Sequence, residues 1–577
     1  MRGIKVVKAA KEKKKYTLFT GKQLLWLILP IIIEQIFSSS LGFIDSIMVS
    51  NMPGDSTSAS LAVTNIDYMN NLIIQLFSAF ATGGAIITSQ FLGAKDSDSA
   101  KSSAKHMLII VIIASVVIAA LSVALNYPLL RLLYSDIDPS SQTFTFQSIY
   151  FYITAASFPF IGLFNACAAL LRVQRKSVVT MSSAAISCGL NAGMNAIFLY
   201  VAKLGVMGAA LATLICRAIP AVYMLFILGR KKNTVCVRIF EKFKFEKAMI
   251  KKILKIAIPA GIESALFQLG KLMTSTFVNV NCYIQPVMEN GSQVIDASGK
   301  LKTINIQALS NSIANHVNNY ASMVGSGVGT SCLTVIGQAV GTGDVEQTKY
   351  YMKKMFLLSY IANSICVALF LGFSQFIVQI WNFNDVTPDQ LSQIHTAALN
   401  CLYFCLAVQM LTYPLSFTTP AILKATSDVK YVMFSAVISM FVMRVGLSFL
   451  MTTDKIAGLP QLGAFGYWIG MCSDWVLRSV LFMARLLSGK WKKSSGLFKD
   501  QPAAVAVGAD GQLDGVETAE SIAASEELEK AVDPDISEGE LAKEAQNGDE
   551  TEENGENQPE TAIDPDISPD ESQIEKE

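Results

Sequence analysis

The sequence predicts an all-α integral membrane protein with twelve transmembrane helices in two parallel six-helix repeat lobes, followed by a disordered acidic C-terminal tail. Three observations carry this. Of 577 residues, 51% are hydrophobic and 16% charged, with a mean hydropathy of +0.41, against about 25% charged in soluble domains. Twelve apolar stretches are long enough to cross a ~30 Å hydrocarbon core as helix. Finally, "SQFLGAKDS" at 89–97 returns in varied form as "GQAVGTGDV" at 337–345.

In order, the stretches lie at 24–49, 59–91, 104–133, 146–171, 177–201 and 205–228, then at 250–278, 307–340, 353–380, 395–423, 429–453 and 462–487. The basic N-terminus, 1–23, contains "KVVKAAKEKKK". The stretch after it is too long for a signal core and lacks a small-residue cleavage site, so it reads as a permanent helix. The basic loops "GAKDSDSAKSSAKH", "LRVQRKS", "TKYYMKKM" and "LSGKWKK" share one side if there are twelve spans. That side, and both termini, are expected to be cytoplasmic. The opposite loops, such as "SNMPGDSTS" and "NFNDVTPDQ", carry almost no Lys or Arg. The domains are then an N-lobe at 24–228, an inter-lobe loop at 229–249, a C-lobe at 250–488 and a cytoplasmic tail at 489–577. Ten Lys or Arg fall between Arg230 and Lys255, as befits either a hinge strap or a plain cytoplasmic loop.

Zero net charge conceals a split: residues 1–500 carry +21 and residues 501–577 carry −21. The tail has no Phe, Trp or Tyr, and only 12 of its 77 residues are Leu, Ile or Val, too few to build a core. It repeats "AVDPDIS" at 531 and "AIDPDIS" at 562 and reads as a solvated acidic appendage without a specific partner, with a docking motif for an unknown partner as the alternative.

The repeat survives a register test. At an offset of 248, residues 70–107 align with 318–355 without a gap, and ten positions match, among them Gln90, Gly93 and Asp96. "LPIIIEQ" at 29–35 meets "IPAGIES" at 258–264, pairing Pro30 with Pro259 and Glu34 with Glu263, and "LGVMGAA" at 204–210 meets "LGAFGYW" at 462–468. Six helices is an even number, so both lobes enter the bilayer in the same direction, the parallel-repeat plan of secondary transporters.

Other classes lose ground. There is no P-loop, no HExxH and no CxxC, so neither an ATP-driven pump nor a metalloenzyme is indicated. The ten cysteines read as packing residues. No enzyme activity, cofactor, resident metal or nucleic-acid partner is expected.

The ordered motifs "GFIDSIMVS", "TSQFLGAKD", "ALLRVQRKS", "NAGMNAIFL" and "LGVMGAALAT", then "IGQAVGTGD", "AILKATSDVKY", "SMFVMRVGL" and "DWVLRSVLFMARLLSGKW", resemble multidrug and toxic compound extrusion transporters. These belong to the wider multidrug, oligosaccharidyl-lipid and polysaccharide exporter superfamily. The resemblance covers about 24–490. It implies that Asp45 is the family's helix-1 aspartate at a Na+ or H+ site, with Asn191, Asn195 and Thr213 at positions that help ligate the cation. A carboxylate, two amide carbonyls and a hydroxyl are hard oxygen ligands suited to an alkali cation. Some members carry a second aspartate where this chain has Asn195. Burial of a lone carboxylate disfavours its charged form, so a proton can replace Na+, and the choice stays open.

Intramembrane ionisable groups are functional candidates by default. Glu34 and Glu263 each follow a helix proline by four residues, at Pro30 and Pro259. They are expected either as paired cavity-lining acids at helix bends, suited to a cationic amphipathic substrate, or as acids satisfied by neighbouring polar groups. Asp67 reads as interfacial. Asp474 and Arg478, spaced i, i+4, read as a structural ion pair joined by Arg444. Lys271 needs a carboxylate or water, and Met273 and Thr274 stand where the C-lobe would repeat Asp45.

The expected function is a monomeric secondary active exporter of small organic cations, an antiporter driven by Na+ or H+ entry, in the cell membrane and specifically a bacterial inner membrane. An exporter of a lipid-linked glycan or endogenous metabolite is the alternative, favoured by a basic cavity. A non-transporting scaffold displaying the tail is a third reading.

Overall fold

The computed structural model describes residues 18–53, 55–134, 138–237, 245–281, 303–381, 387–453 and 462–496, with three two-residue strands between 285 and 293. The start of the basic N-terminus, the middle of the inter-lobe loop and the acidic tail lie outside the described residues. Met1–Asp500 forms one unit and Gln501 onward another.

The N-lobe consists of α1 (Gly21–Ser50), α2 (Ser56–Gly93), α3 (Ser97–Ala124, followed by a short helix Asn126–Leu133), α4 (the pair Gln142–Ala156 and Phe158–Val173), α5 (Ser177–Asn195, continued as π-helix over Ala196–Val201) and α6 (Gly205–Leu228). The C-lobe follows with α7 (Lys247–Asn281), α8 (Ile306–Gly341) and α9 (Val345–Val378). Next comes α10, from Pro388–Tyr413 through π-helical Pro414–Thr418 to Thr419–Ala425. The lobe closes with α11, running Val429–Ser439, π-helical Met440–Leu447 and Ser448–Thr452, then α12 (Gly463–Leu487). A short α13 (Trp491–Ser495) ends the described chain. One departure from an all-α chain stands between α7 and α8. There β1 (Gln285–Pro286) pairs with β4 (Thr303–Ile304), and β2 (Met288–Glu289) with β3 (Ser292–Gln293).

Local chemistry sets these boundaries. Thr20 opens α1 with a capping box to Gln23, while Asp55, Asp96 and Asp344 accept from backbone amides at the starts of α2, α3 and α9, satisfying orphan donors. Pro159 lies just past the 45° break in α4, where its missing N–H and its ring oppose a straight helix. By length and apolarity ten helices qualify as membrane spans among the described residues, or eleven with bent α4. That falls short of the expected twelve, because α12 carries Asp474, Arg478 and Arg485.

The duplication is written in the backbone as well. Lys95 and Gly343 take φ of 61° and 72°, Arg175 and Ser427 take 63° and 67°, and Gly205 and Gly463 take 57° and 53°. Each pair occupies matching turns of the two lobes.

The lobes meet at the end that carries the repeated motif. A Cβ on Gly93 would lie 2.0 Å from the Gln338 carbonyl oxygen, and one on Gly341 2.0 Å from that of Gln90, so only glycine permits this crossing of α2 and α8. Gln90 donates to the Ala425 carbonyl at 2.9 Å, and Gln338 donates to the Val173 carbonyl at 2.8 Å. The apolar core follows the same division. One cluster unites N-lobe residues with Met249, Ile253 and Ile256 of α7, and another unites Leu24, Leu27 and Ile31 of α1 with C-lobe residues. Two further clusters are confined to a single lobe each, around Phe77 and Tyr150 and around Trp468 and Trp475. The lobes are thus fused by shared packing at one end and packed separately at the other.

Candidate functional site

The Asp45 carboxylate on α1 is 6% exposed. Its Oδ1 accepts from Asn191 Nδ2 at 2.9 Å and from Asn195 Nδ2 at 2.5 Å. The two asparagines stand one turn apart on α5, fully buried, and the helix widens to π form immediately after Asn195, a feature frequent at functional sites. Thr213 comes from the facing α6 and is also buried. Asn195 Oδ1 has no hydrogen-bond partner among the described residues, and the Thr213 hydroxyl, close enough to act on Asp45 and Tyr150, makes no well-formed hydrogen bond there. Buried polar atoms are rarely left unpaired, and two orphan oxygens beside a buried carboxylate constitute a donor set for a hard cation.

Arg217, Ser157 and Tyr150, not singled out from the sequence, extend this site together with Asp67. Arg217, one turn beyond Thr213, donates to Ser157 Oγ at 2.8 Å at the α4 bend and acts electrostatically on both Asp45 and Asp67. Asp67 lies three turns inside α2 rather than at its start, because the helix begins at Ser56. It accepts from Tyr150 Oη and Asn70 Nδ2, each at 3.4 Å. A lone arginine in an apolar helix was signal enough to flag Arg217.

Glu34 and Glu263 each pair within their own lobe. Glu34 is 1% exposed, bridged by the Arg172 guanidinium and accepting from Thr180 Oγ1 at 2.6 Å. Lys424 Nζ approaches Glu263 at 2.9 Å. Arg172 and Lys424 occupy matching positions near the ends of α4 and α10. Each acid therefore meets a fixed counter-charge before any substrate arrives. Both helices run on through Pro30 and Pro259.

In the C-lobe, Asp474 is fully buried between two guanidiniums. Arg478 Nε donates to its Oδ1 at 2.9 Å, Arg444 Nε lies 3.3 Å from its Oδ2, and Ser439 Oγ donates to Oδ1 at 2.8 Å. The Asp45 position is taken by Thr274, whose hydroxyl donates back to the Gly270 carbonyl of its own helix.

Comparison with known proteins places this architecture. The MatE family model matches residues 30–197 and 299–450. A probable multidrug resistance protein NorM of Thermotoga maritima is 23% identical over 500 residues, covering 83% of this chain and 95% of that protein. The multidrug export protein MepA of Staphylococcus haemolyticus is 25% identical over 257 residues, covering 44% of this chain and 55% of its own. One solved structure, described as the outward-facing conformation of a multidrug resistance MATE family transporter of the MOP superfamily, superposes with a TM-score of 0.69 at 19% identity, covering 83% of this chain and 96% of that one. With a family model spanning more than half of the sequence and the fold of solved members, the chain belongs to the MatE family of multi-pass membrane transporters.

Proposed function

We propose that the protein is a secondary active exporter in which Na+ or H+ enters at Asp45 and drives release of small organic molecules by alternating access of the two lobes. The observation that carries this reading is the buried Asp45 carboxylate with orphan oxygens on Asn195 and Thr213 beside it. Turning the Asn195 amide would present Oδ1, Thr213 Oγ1 and the carboxylate to one cation, while protonation of Asp45 would remove the charge instead. One elementary charge moving down the membrane potential is worth ~2.3 kcal/mol per 100 mV, enough to bias a two-state transporter.

The shared packing at the motif-bearing end favours a molecule closed on that side. Basic loops make it the cytoplasmic side, with both termini there, in a cell membrane of bacterial inner-membrane type. The tail is proposed as a dispensable appendage to a monomeric transporter. The names of the relatives, multidrug resistance and multidrug export proteins, support drug-like substrates. Because Glu34 and Glu263 already hold Arg172 and Lys424, they give a cationic substrate little attraction, and this favours keeping metabolite export as the second reading.

Efflux from proteoliposomes with a Na+ gradient or a pH gradient imposed separately tests the proposal. Transport under one gradient that vanishes in Asp45→Asn supports it and names the ion. Equal transport by the mutant, or none under either gradient by folded wild type, sinks it.

A further inference from the structure

The cation site in the N-lobe is built from α1, α5 and α6. Their counterparts in the C-lobe, α7, α11 and α12, also converge on one point, but the residues they bring are Lys271, Arg444, Asp474 and Arg478. The three cations surround one aromatic ring. Lys271 Nζ lies 5.1 Å from the Phe267 centroid, Arg444 Cζ 5.1 Å and Arg478 Cζ 4.6 Å.

Their charges do not balance. Asp474 is the carboxylate that both guanidiniums share. Glu263 also acts on Arg478 but is engaged by Lys424. Counting Lys424, four cations face two carboxylates. The charges acting on Lys271 are the two guanidiniums, both of its own sign, and among the described residues its ammonium meets no acid. Arg444 Nη1 and Arg478 Nη2 have no hydrogen-bond partner among the described residues, although both side chains are more than nine-tenths buried. Lys271 keeps exposed surface although its surroundings desolvate the ammonium, so it stands at the edge of the cluster with the two unsatisfied guanidiniums behind it. Arg444 stands within the π-helical stretch of α11, as Asn195 stands beside that of α5.

Unpaired cations in a low-dielectric region are strongly unfavourable unless an anion joins them. Guanidinium donors match the planar or tetrahedral oxygens of carboxylate, sulfonate or phosphate, and an aromatic face suits an apolar body beside that group. We propose that this site binds the anionic group of the transported molecule, a small amphiphile bearing a carboxylate or sulfonate, with Lys271 at the mouth and Arg444 and Arg478 behind. The assignment of this anion as cargo rests on the exporter reading above.

The test uses the full chain in phosphatidylcholine nanodiscs, with fluorescence anisotropy of carboxyfluorescein as the anionic probe and ethidium as the cationic one. Wild type should bind carboxyfluorescein. Lys271→Ala should weaken it at least ~10-fold, the loss of a charge-assisted hydrogen bond, and Lys271→Arg should restore it, with ethidium indifferent to both changes. A simple structural role for Lys271 would not produce that charge selectivity. Absent carboxyfluorescein binding, or equal binding by wild type and Lys271→Ala, overturns the proposal. Loss of the probe when phosphatidylglycerol replaces phosphatidylcholine would assign the site to a lipid headgroup and overturn the cargo claim. Asp45-dependent ethidium efflux without carboxyfluorescein binding would leave the exporter standing and remove the anion site. Lys271-dependent binding with neither dye transported would keep the site and remove the exporter.

Discussion

The two lobes share helix order, turn conformations and a reciprocal glycine crossing, yet their charged interiors have opposite sign. In the N-lobe, Asp45 and Asp67 face the single guanidinium of Arg217, leaving a carboxylate in surplus. In the C-lobe, Asp474 serves Arg444 and Arg478 while Lys271 meets no acid among the described residues. The scaffold is shared by both lobes, while the residues on three equivalent helices reverse the balance of buried charge. The paired acids Glu34 and Glu263 are the common feature, a lobe-internal lock present in both copies.

Stability separates the lobes most sharply. Asp474→Asn strands two buried guanidiniums and should lower stability by about 3–5 kcal/mol, read as the unfolding midpoint of purified protein. Asp45→Asn removes one of two buried carboxylates that face Arg217, which keeps Asp67, and should leave that midpoint unchanged or raise it. Equal losses at both sites would break the comparison. The glycine crossing is the control in which the lobes should agree. Gly93→Val and Gly341→Val each drive a side chain into a carbonyl 2.0 Å away, at a cost of about 3 kcal/mol, with transport lost in both. A large asymmetry between them would show that the crossing is not reciprocal.

The lobe-internal pairs rank lower. Glu34→Gln, which disturbs a nearly inaccessible acid with three donor contacts, should cost about 2 kcal/mol. Glu263→Gln, at a more exposed pair, should cost about 1 kcal/mol. The reverse order would show that exposure does not set the strength of these pairs. Smallest is the Asp96 cap of α3, where hydrogen bonds from Ser99 hold the carboxyl below its ordinary range. Such a group stabilises above its unfolded pKa and loses the effect as pH falls through its folded pKa. Asp96→Ala should therefore lower the midpoint by about 2 °C or less at neutral pH and by nothing in acid.

Much of this was legible in the sequence because it is local or repeated. Apolar run length gave the helices, the offset of 248 paired the very Gln and Gly residues that form the crossing, and i, i+4 spacing put Asp474 beside Arg478. What escaped depends on distant partners. Glu34 and Arg172 are separated by 138 residues, and Glu263 and Lys424 by 161, so the sequence allowed cavity-lining acids where the fold supplies counter-ions. Arg217 sits in a setting as apolar as that of Lys271, yet its partner Ser157 lies 60 residues away. The residues around Asp45 rest on family resemblance, since no local pattern links positions 45, 191, 195 and 213 on α1, α5 and α6.

The measurement that bears most directly on the central claim is infrared difference spectroscopy of the Asp45 carboxyl, wild type minus Asp45→Asn, as Na+ is added or pH is lowered. A carboxyl or carboxylate band that changes with one ion and is absent from the mutant is the predicted result. A spectrum in which neither ion produces an Asp45-dependent change would contradict a coupling site in the N-lobe.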